Sequence, residues 1–209
     1  MSATVADKLA GDIVACRQWA EQDLGPYYLD SSPIRRDITE DRRGVALVVG
    51  LALAKSDGSP LAAVDVEVWH CDAAGVYSGY PPPVQSGDEG PATPEYRTDQ
   101  TFLRGRQESD AEGMVEFRTI YPGWYPGRTV HIHVFVKVGG RVFTSQLYFP
   151  DAVTDELFGR SPYRERPGRD TTNATDTIFP TGGEPAVMNL VPAAAGFLGV
   201  ARLHLPVNG

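Results

Sequence analysis

Four histidines stand in the 209-residue chain, and the pair His131 and His133 carries the most chemical information. Around it Val130, Ile132, Val134, Val136 and Val138 alternate with other residue types, which is the period of a strand. Residues two apart on a strand share a face, so both imidazoles point the same way while Ile132 faces the core. Two imidazoles side by side on a rigid strand form a clamp for a metal ion. A zinc hydrolase would complete it with a third histidine or a carboxylate, and a facial-triad iron site with one carboxylate. Carboxylates are plentiful nearby, so residue type leaves these completions open, along with two incidental histidines on an exposed face.

The stretch Tyr121-Pro122-Gly123-Trp124-Tyr125-Pro126-Gly127-Arg128-Thr129-Val130-His131-Ile132-His133 closely resembles the metal-binding segment of the intradiol ring-cleaving dioxygenases. That family includes the protocatechuate 3,4-, catechol 1,2- and hydroxyquinol 1,2-dioxygenases. Its pattern is a PGxYP turn, an arginine, then an HxH strand. Upstream, Trp69-His70-Cys71-Asp72-Ala73-Ala74-Gly75-Val76-Tyr77-Ser78 resembles the family's segment for a second tyrosine ligand. Gly25-Pro26-Tyr27-Tyr28 and Gln146-Leu147-Tyr148-Phe149 are similar to further landmarks, so the likeness runs from about residue 14 to 180.

The resemblance implies one Fe(III) held by Tyr77, Tyr125, His131 and His133, with no organic cofactor. It implies that Tyr125 acts as a base, that Arg128 steadies developing negative charge, and that Gln146 lies close by. Substrate contacts are implied for Leu24, Pro26, Tyr80 and Arg128. The implied reaction opens a catechol ring between its two hydroxyl carbons with O2, giving a cis,cis-muconate-type product. The donor chemistry is coherent: a phenol with a pKa near 10 loses its proton to a highly charged cation, and two anionic oxygens favour Fe(III) over Fe(II). Two departures leave the ring substituents open. The link from Tyr125 to His131 is shorter than in the protocatechuate or catechol enzymes, and the N-terminal region lacks the long helical dimerisation segment of the catechol and hydroxyquinol enzymes. Two rival readings are a non-catalytic β-sandwich that binds a ligand or carbohydrate, and a metal-dependent hydrolase.

Several elements must position these residues. Spacings of three and four among Val5, Leu9, Ile13, Cys16 and Ala20 predict an amphipathic helix over 4–23, ended by Gly25-Pro26. An extended arm follows over 27–37. The apolar run 45–54, the alternation at 64–69 (a half-buried strand), the strand 114–120 and a Gly139-Gly140 hairpin joining 130–138 to 142–149 come next. Residues 81–100 read as a long surface loop, 151–158 as a short helix capped by Asp151, 159–185 as irregular, and 199–205 as a closing strand. Seven or eight short strands with turn punctuation predict a mainly β fold: an antiparallel β-sandwich core at 41–209 with an N-terminal helix and arm at 1–40, in a single domain.

Twenty-two glycines and seventeen prolines agree with a turn-rich β fold. A net charge of −8 argues against a nucleic-acid partner and an anionic membrane surface. The expected partners are a small aromatic diol and O2, with homo-oligomer formation left open. The first residues hold Asp7, Asp12 and Glu21 and no continuous apolar stretch, so they do not read as a signal peptide and the expected location is cytoplasmic. Cys16 and Cys71 are not a CxxC pair, which disfavours a thiolate zinc site and suits two reduced buried thiols. Some secreted-type relatives carry cysteines at both landmarks, so the resemblance also implies a candidate Cys16–Cys71 bridge.

Overall fold

The computed structural model describes residues 17–30, 32–80 and 99–206. Among them, nine strands form two packed sheets: β1 (Arg17–Gln18), β2 (Ala46–Lys55), β3 (Asp65–Trp69), β4 (Arg104–Glu108), β5 (Met114–Ile120), β6 (His131–Val138), β7 (Arg141–Tyr148), β8 (Asn189–Ala193) and β9 (Gly196–Leu205). One helix, α1 (Asp151–Phe158), follows β7. The first sheet runs β1-β9-β2-β5, with β8 on the same side of β9 as β1; the second runs β4-β3-β6-β7.

The second sheet is antiparallel throughout, as expected. The first is mixed, because β9 lies parallel to both β2 and β1. Parallel neighbours need a long connection rather than a hairpin, and β9 returns only after the irregular segment that follows α1. Leu47, Val49, Leu51 and Leu53 of β2 pack with Val66 and Val68 of β3 and Ile132, Val134 and Val136 of β6 to fill the space between the sheets. The β6–β7 hairpin turns at Gly139 and Gly140, with φ of 56° and 76°. A two-residue turn of that hand needs positive φ at both positions.

Three expectations change. Most of the helix predicted over 4–23 lies outside the described residues, but its last part is not helical. Arg17–Gln18 pair with β9, Trp19 N–H donates to the His204 carbonyl at 2.9 Å, and Gln22 N–H donates to Thr144 at 2.9 Å. Trp19 is buried in the core, so pairing with the sheets overrides a helical period. Strand β3 is not half-buried: Glu67 and Trp69 are 5% and 0% exposed, because the arm covers that face. Asp151 is the first residue of α1 rather than its cap, and its carboxylate accepts from Arg169 and from the Asn173 N–H instead.

The arm is extended as expected, with bridges from Ile34 to Arg106 and from Asp37 to Arg118. Of the loop expected over 81–100, residues 81–98 lie outside the described residues. Cys71 is a free buried thiol whose Sγ sits 3.5 Å from the Gly123 carbonyl; Cys16 lies outside the described residues. No helix among the described residues is long and apolar enough to cross a membrane.

Candidate metal centre

The outer face of the second sheet carries the site. Cross-strand register places Arg104, Trp69, His133 and Gln146 in one row across all four strands, with His131 opposite Tyr148 in the next row. His131 and His133 are 2% and 0% exposed, so neither is an incidental surface histidine.

Two loops bring the tyrosines over this face. After β3 the chain turns about Asp72, whose Oδ1 accepts from the N–H groups of Ala74 and Val76 at 2.9 and 3.0 Å, and the next residue is Tyr77. The segment before Tyr125 docks on the same turn, with Gly123 N–H donating to the Asp72 carbonyl at 3.1 Å. Trp124 Nε1 donates to the Arg166 carbonyl at 3.0 Å and anchors the other side.

The four rings close a circuit. Centroid separations are 5.6 Å for Tyr77–Tyr125, 5.6 Å for Tyr125–His131, 4.7 Å for His131–His133 and 6.2 Å for His133–Tyr77. His131 Nε2 lies 3.2 Å from the Tyr125 hydroxyl and 3.1 Å from His133 Nε2. The Thr129 carbonyl lies 2.6 Å from His131 Nδ1 and can only accept, so Nδ1 carries the proton and Nε2 offers its lone pair inward. Burial, helped by Arg128, pushes the His131 pKa down to about 3. Burial and then His131 push His133 well down too. Both imidazoles are therefore neutral, the form that binds metals.

The Tyr77 hydroxyl is buried and has no hydrogen-bond partner of ordinary geometry. Burial raises its pKa well above the usual phenol value, with Tyr125 adding to the rise. Burial raises Tyr125 as well, against the pull of Arg128. A buried phenol oxygen without an ordinary partner, beside the inward His131 lone pair and His133 Nε2, is costly in a closed protein and suits a cation. Among the described residues no group of three or more His, Cys, Asp or Glu side chains gathers as a metal site, so no third histidine or carboxylate joins His131 and His133 there. The donors are two imidazoles and two phenols, a set that fits iron(III).

Surrounding groups fix these donors. Trp69 stacks on His133 at 4.7 Å and 1°, and Tyr27 stacks on Tyr77 at 4.3 Å and 11°. Gly25, at φ 73°, passes so close to His133 that an added Cβ would lie 3.0 Å from Cε1. Arg128 donates from Nε to Asp176 at 2.9 Å and from Nη2 to Gln146 Oε1 at 2.6 Å. Gln146 Nε2 reaches back to the Asp23 carbonyl at 3.3 Å, tying the arm to the sheet. Leu24 is half-buried in the same aromatic cluster, while Pro26 is exposed. The Tyr80 hydroxyl donates to the Tyr28 carbonyl at 2.8 Å, and Tyr80 meets Tyr27 edge-on, behind the ring stacked on Tyr77. Sequence reasoning gives no role to Trp69, to Tyr148, whose hydroxyl donates to Gln146 Oε1 at 3.1 Å, or to Asp176. Trp69 and Tyr148 lie inside segments that resemble the family's, whereas no motif marks Asp176.

A family described as Dioxygenase matches residues 24–163. The chain belongs to the intradiol ring-cleavage dioxygenase family. It is 34% identical to the protocatechuate 3,4-dioxygenase beta chain of Burkholderia cepacia, over 71% of this chain and 64% of that one. Catechol 1,2-dioxygenase 1 of Acinetobacter lwoffii is 27% identical over 54% of this chain and 40% of its own. The chain thus spans less than two thirds of the length of these relatives. Among solved structures, the intradiol ring-cleavage dioxygenase from Tetranychus urticae superposes with a TM-score of 0.81 at 31% identity, covering 90% of this chain and 94% of that one. The dioxygenase domain of a carbohydrate-binding fusion from Streptomyces sp. SirexAA-E gives 0.65 at 32% identity, over 91% and 99%.

Proposed function

We propose that this protein is a non-heme iron(III) dioxygenase that opens a catechol-type ring between its hydroxyl carbons with O2, yielding a cis,cis-muconate-type product. The observation that carries this reading is the closed circuit of Tyr77, Tyr125, His131 and His133, with the inward lone pair of His131 and the buried Tyr77 hydroxyl. Iron(III) would be held by those four side chains and would supply Lewis acidity toward a bound catechol.

The protein's own groups do the rest. The Tyr125 oxygen faces His131, and Arg128 opposes the burial that raises its pKa; held as a tyrosinate by iron(III), it would be the proton acceptor for a diol hydroxyl. Arg128 is half-buried and locked by Asp176 and Gln146, so its charge is preorganised where negative charge develops on the ring. Leu24, Tyr27, Trp69 and Tyr80 line this side with apolar surface and limit water.

The test is oxygen uptake and product absorbance with purified, iron-loaded protein. Catechol, protocatechuate, hydroxyquinol and methyl- or chlorocatechols are offered in turn. Ring opening of at least one with consumption of O2 is expected, from a red-brown protein. A colourless iron-loaded protein, inert toward all of them, contradicts the reading.

A further inference from the structure

We propose that Asp176 is a positioning residue of this centre, whose one carboxylate orients both Arg128 and the residue that fixes the His131 ring. The part concerning Arg128 rests on the dioxygenase reading; the part concerning His131 stands on geometry alone.

Asp176 lies in the irregular segment after α1, far along the chain from every ligand, and its side chain is fully buried. Four N–H groups converge on it. Oδ2 accepts from Arg128 Nε at 2.9 Å and from Thr129 N at 2.8 Å. Oδ1 accepts from Ile178 N at 2.7 Å and Phe179 N at 2.8 Å. Burial opposes the charge, but Thr129 N–H and Arg128 outweigh it and hold the carboxyl below the ordinary carboxylate range. A buried carboxylate with four donors is a rigid anchor, since any rotation breaks several charge-assisted bonds.

The anchor reaches the ligand in one further step. Thr129, whose N–H rests on Asp176, also accepts the Nδ1 proton of His131 at its carbonyl, at 2.6 Å. The Thr129 hydroxyl donates to Asn173 Oδ1 at 2.8 Å, and Asn173 Nδ2 donates to the Phe149 carbonyl at 2.9 Å. The same segment therefore grips Thr129 twice, and through it sets which His131 nitrogen faces the other ligands. A partner that fixes a ligand's tautomer and plane typically matters on the order of 10- to 100-fold in metal affinity or activity.

The test uses the full chain labelled with 15N in histidine, first metal-free and then iron-loaded, as the parent, Asp176→Asn and Asp176→Glu. The metal-free parent is expected to display a protected His131 Nδ1–H signal. Asp176→Asn turns an acceptor into a donor facing N–H groups, so that signal should broaden or vanish. Iron-loaded kcat should fall by roughly 10- to 100-fold with KM nearly unchanged. Asp176→Glu keeps the buried charge pair, and with it the fold, while displacing the oxygens; it should recover part of both properties. A His131 signal like the parent's in the folded variants overturns the proposal, whatever turnover does. Should the parent fail to open any catechol, the dioxygenase reading falls while the His131 signal still decides the role of Asp176.

Discussion

At the scale of single residues, the phenol of Tyr77 is the most exposed to experiment. Its oxygen is buried with no hydrogen-bond partner of ordinary geometry, a situation that a bound cation would relieve. In the proposed centre, Tyr77→Phe and Tyr125→Phe each remove one tyrosinate oxygen, and the visible band of iron-loaded protein should weaken or shift in both. His131→Ala and His133→Ala should bind less iron, read by metal analysis after desalting. Four variants with the parental spectrum and iron content would refute the ligand assignment. Arg128 holds no inward lone pair and acts through charge alone, so Arg128→Ala should keep iron and colour while kcat drops about 100-fold, the usual loss for one preorganised donor. Unchanged turnover would return Arg128 to a purely structural ion pair with Asp176.

At the scale of elements, the arm matters as much as the strands. Gly25 runs against the His133 ring with φ of 73°, a conformation that costs a residue with Cβ about 1–2 kcal/mol. Gly25→Ala would also place a methyl 3.0 Å from Cε1, so either the arm lifts or the ring tilts away from Trp69. Denaturant melts should move by about that energy, and iron titration should weaken along with them. A variant with parental stability and iron affinity would mean that the arm does not press on the ligand. The strand that bears the histidines was legible in advance, since its alternation of Val and Ile is unbroken from 130 to 138. Strands β1, β4 and β8 were not. Arg104–Glu108 reads as a charged run, yet Arg104 is buried, donating to the Ser78 hydroxyl and carbonyl at 2.8 Å each. Such a strand is made by its partners rather than by an apolar period.

At the scale of the whole molecule, buried histidines link stability to pH. His70 is fully buried, its Nδ1 proton on the Cys71 carbonyl and its Nε2 on the Thr119 hydroxyl, at 2.8 and 2.7 Å. Burial lowers its pKa from the usual 6.5 to about 4. The unfolded chain therefore binds a proton that the folded chain refuses between these values. The His70 contribution is complete above pH 6.5 and is lost as pH falls toward 4, at up to about 1.4 kcal/mol per pH unit. Denaturant unfolding of metal-free protein at pH 7, 6 and 5 should show the loss, and His70→Gln should reduce its slope, leaving the part due to the buried His131 and His133. Equal slopes in parent and variant would place the acid sensitivity elsewhere.

The sequence by itself determined the local facts: an HxH pair on one strand face, a PGxYPxR turn, a tyrosine shortly after another strand, and a mainly β class. Each depends on residues within a dozen positions of one another, where period and turn chemistry act directly. The tertiary structure decided what joins distant segments. It turned the outer face of the second sheet into a closed cluster and stacked Trp69 on His133. It laid Tyr27 against Tyr77, and it carried Asp176 to Arg128 across 48 positions. None of these pairings has a local signature, because packing and buried charge select partners by shape and solvation once the chain has folded, whatever their separation along it.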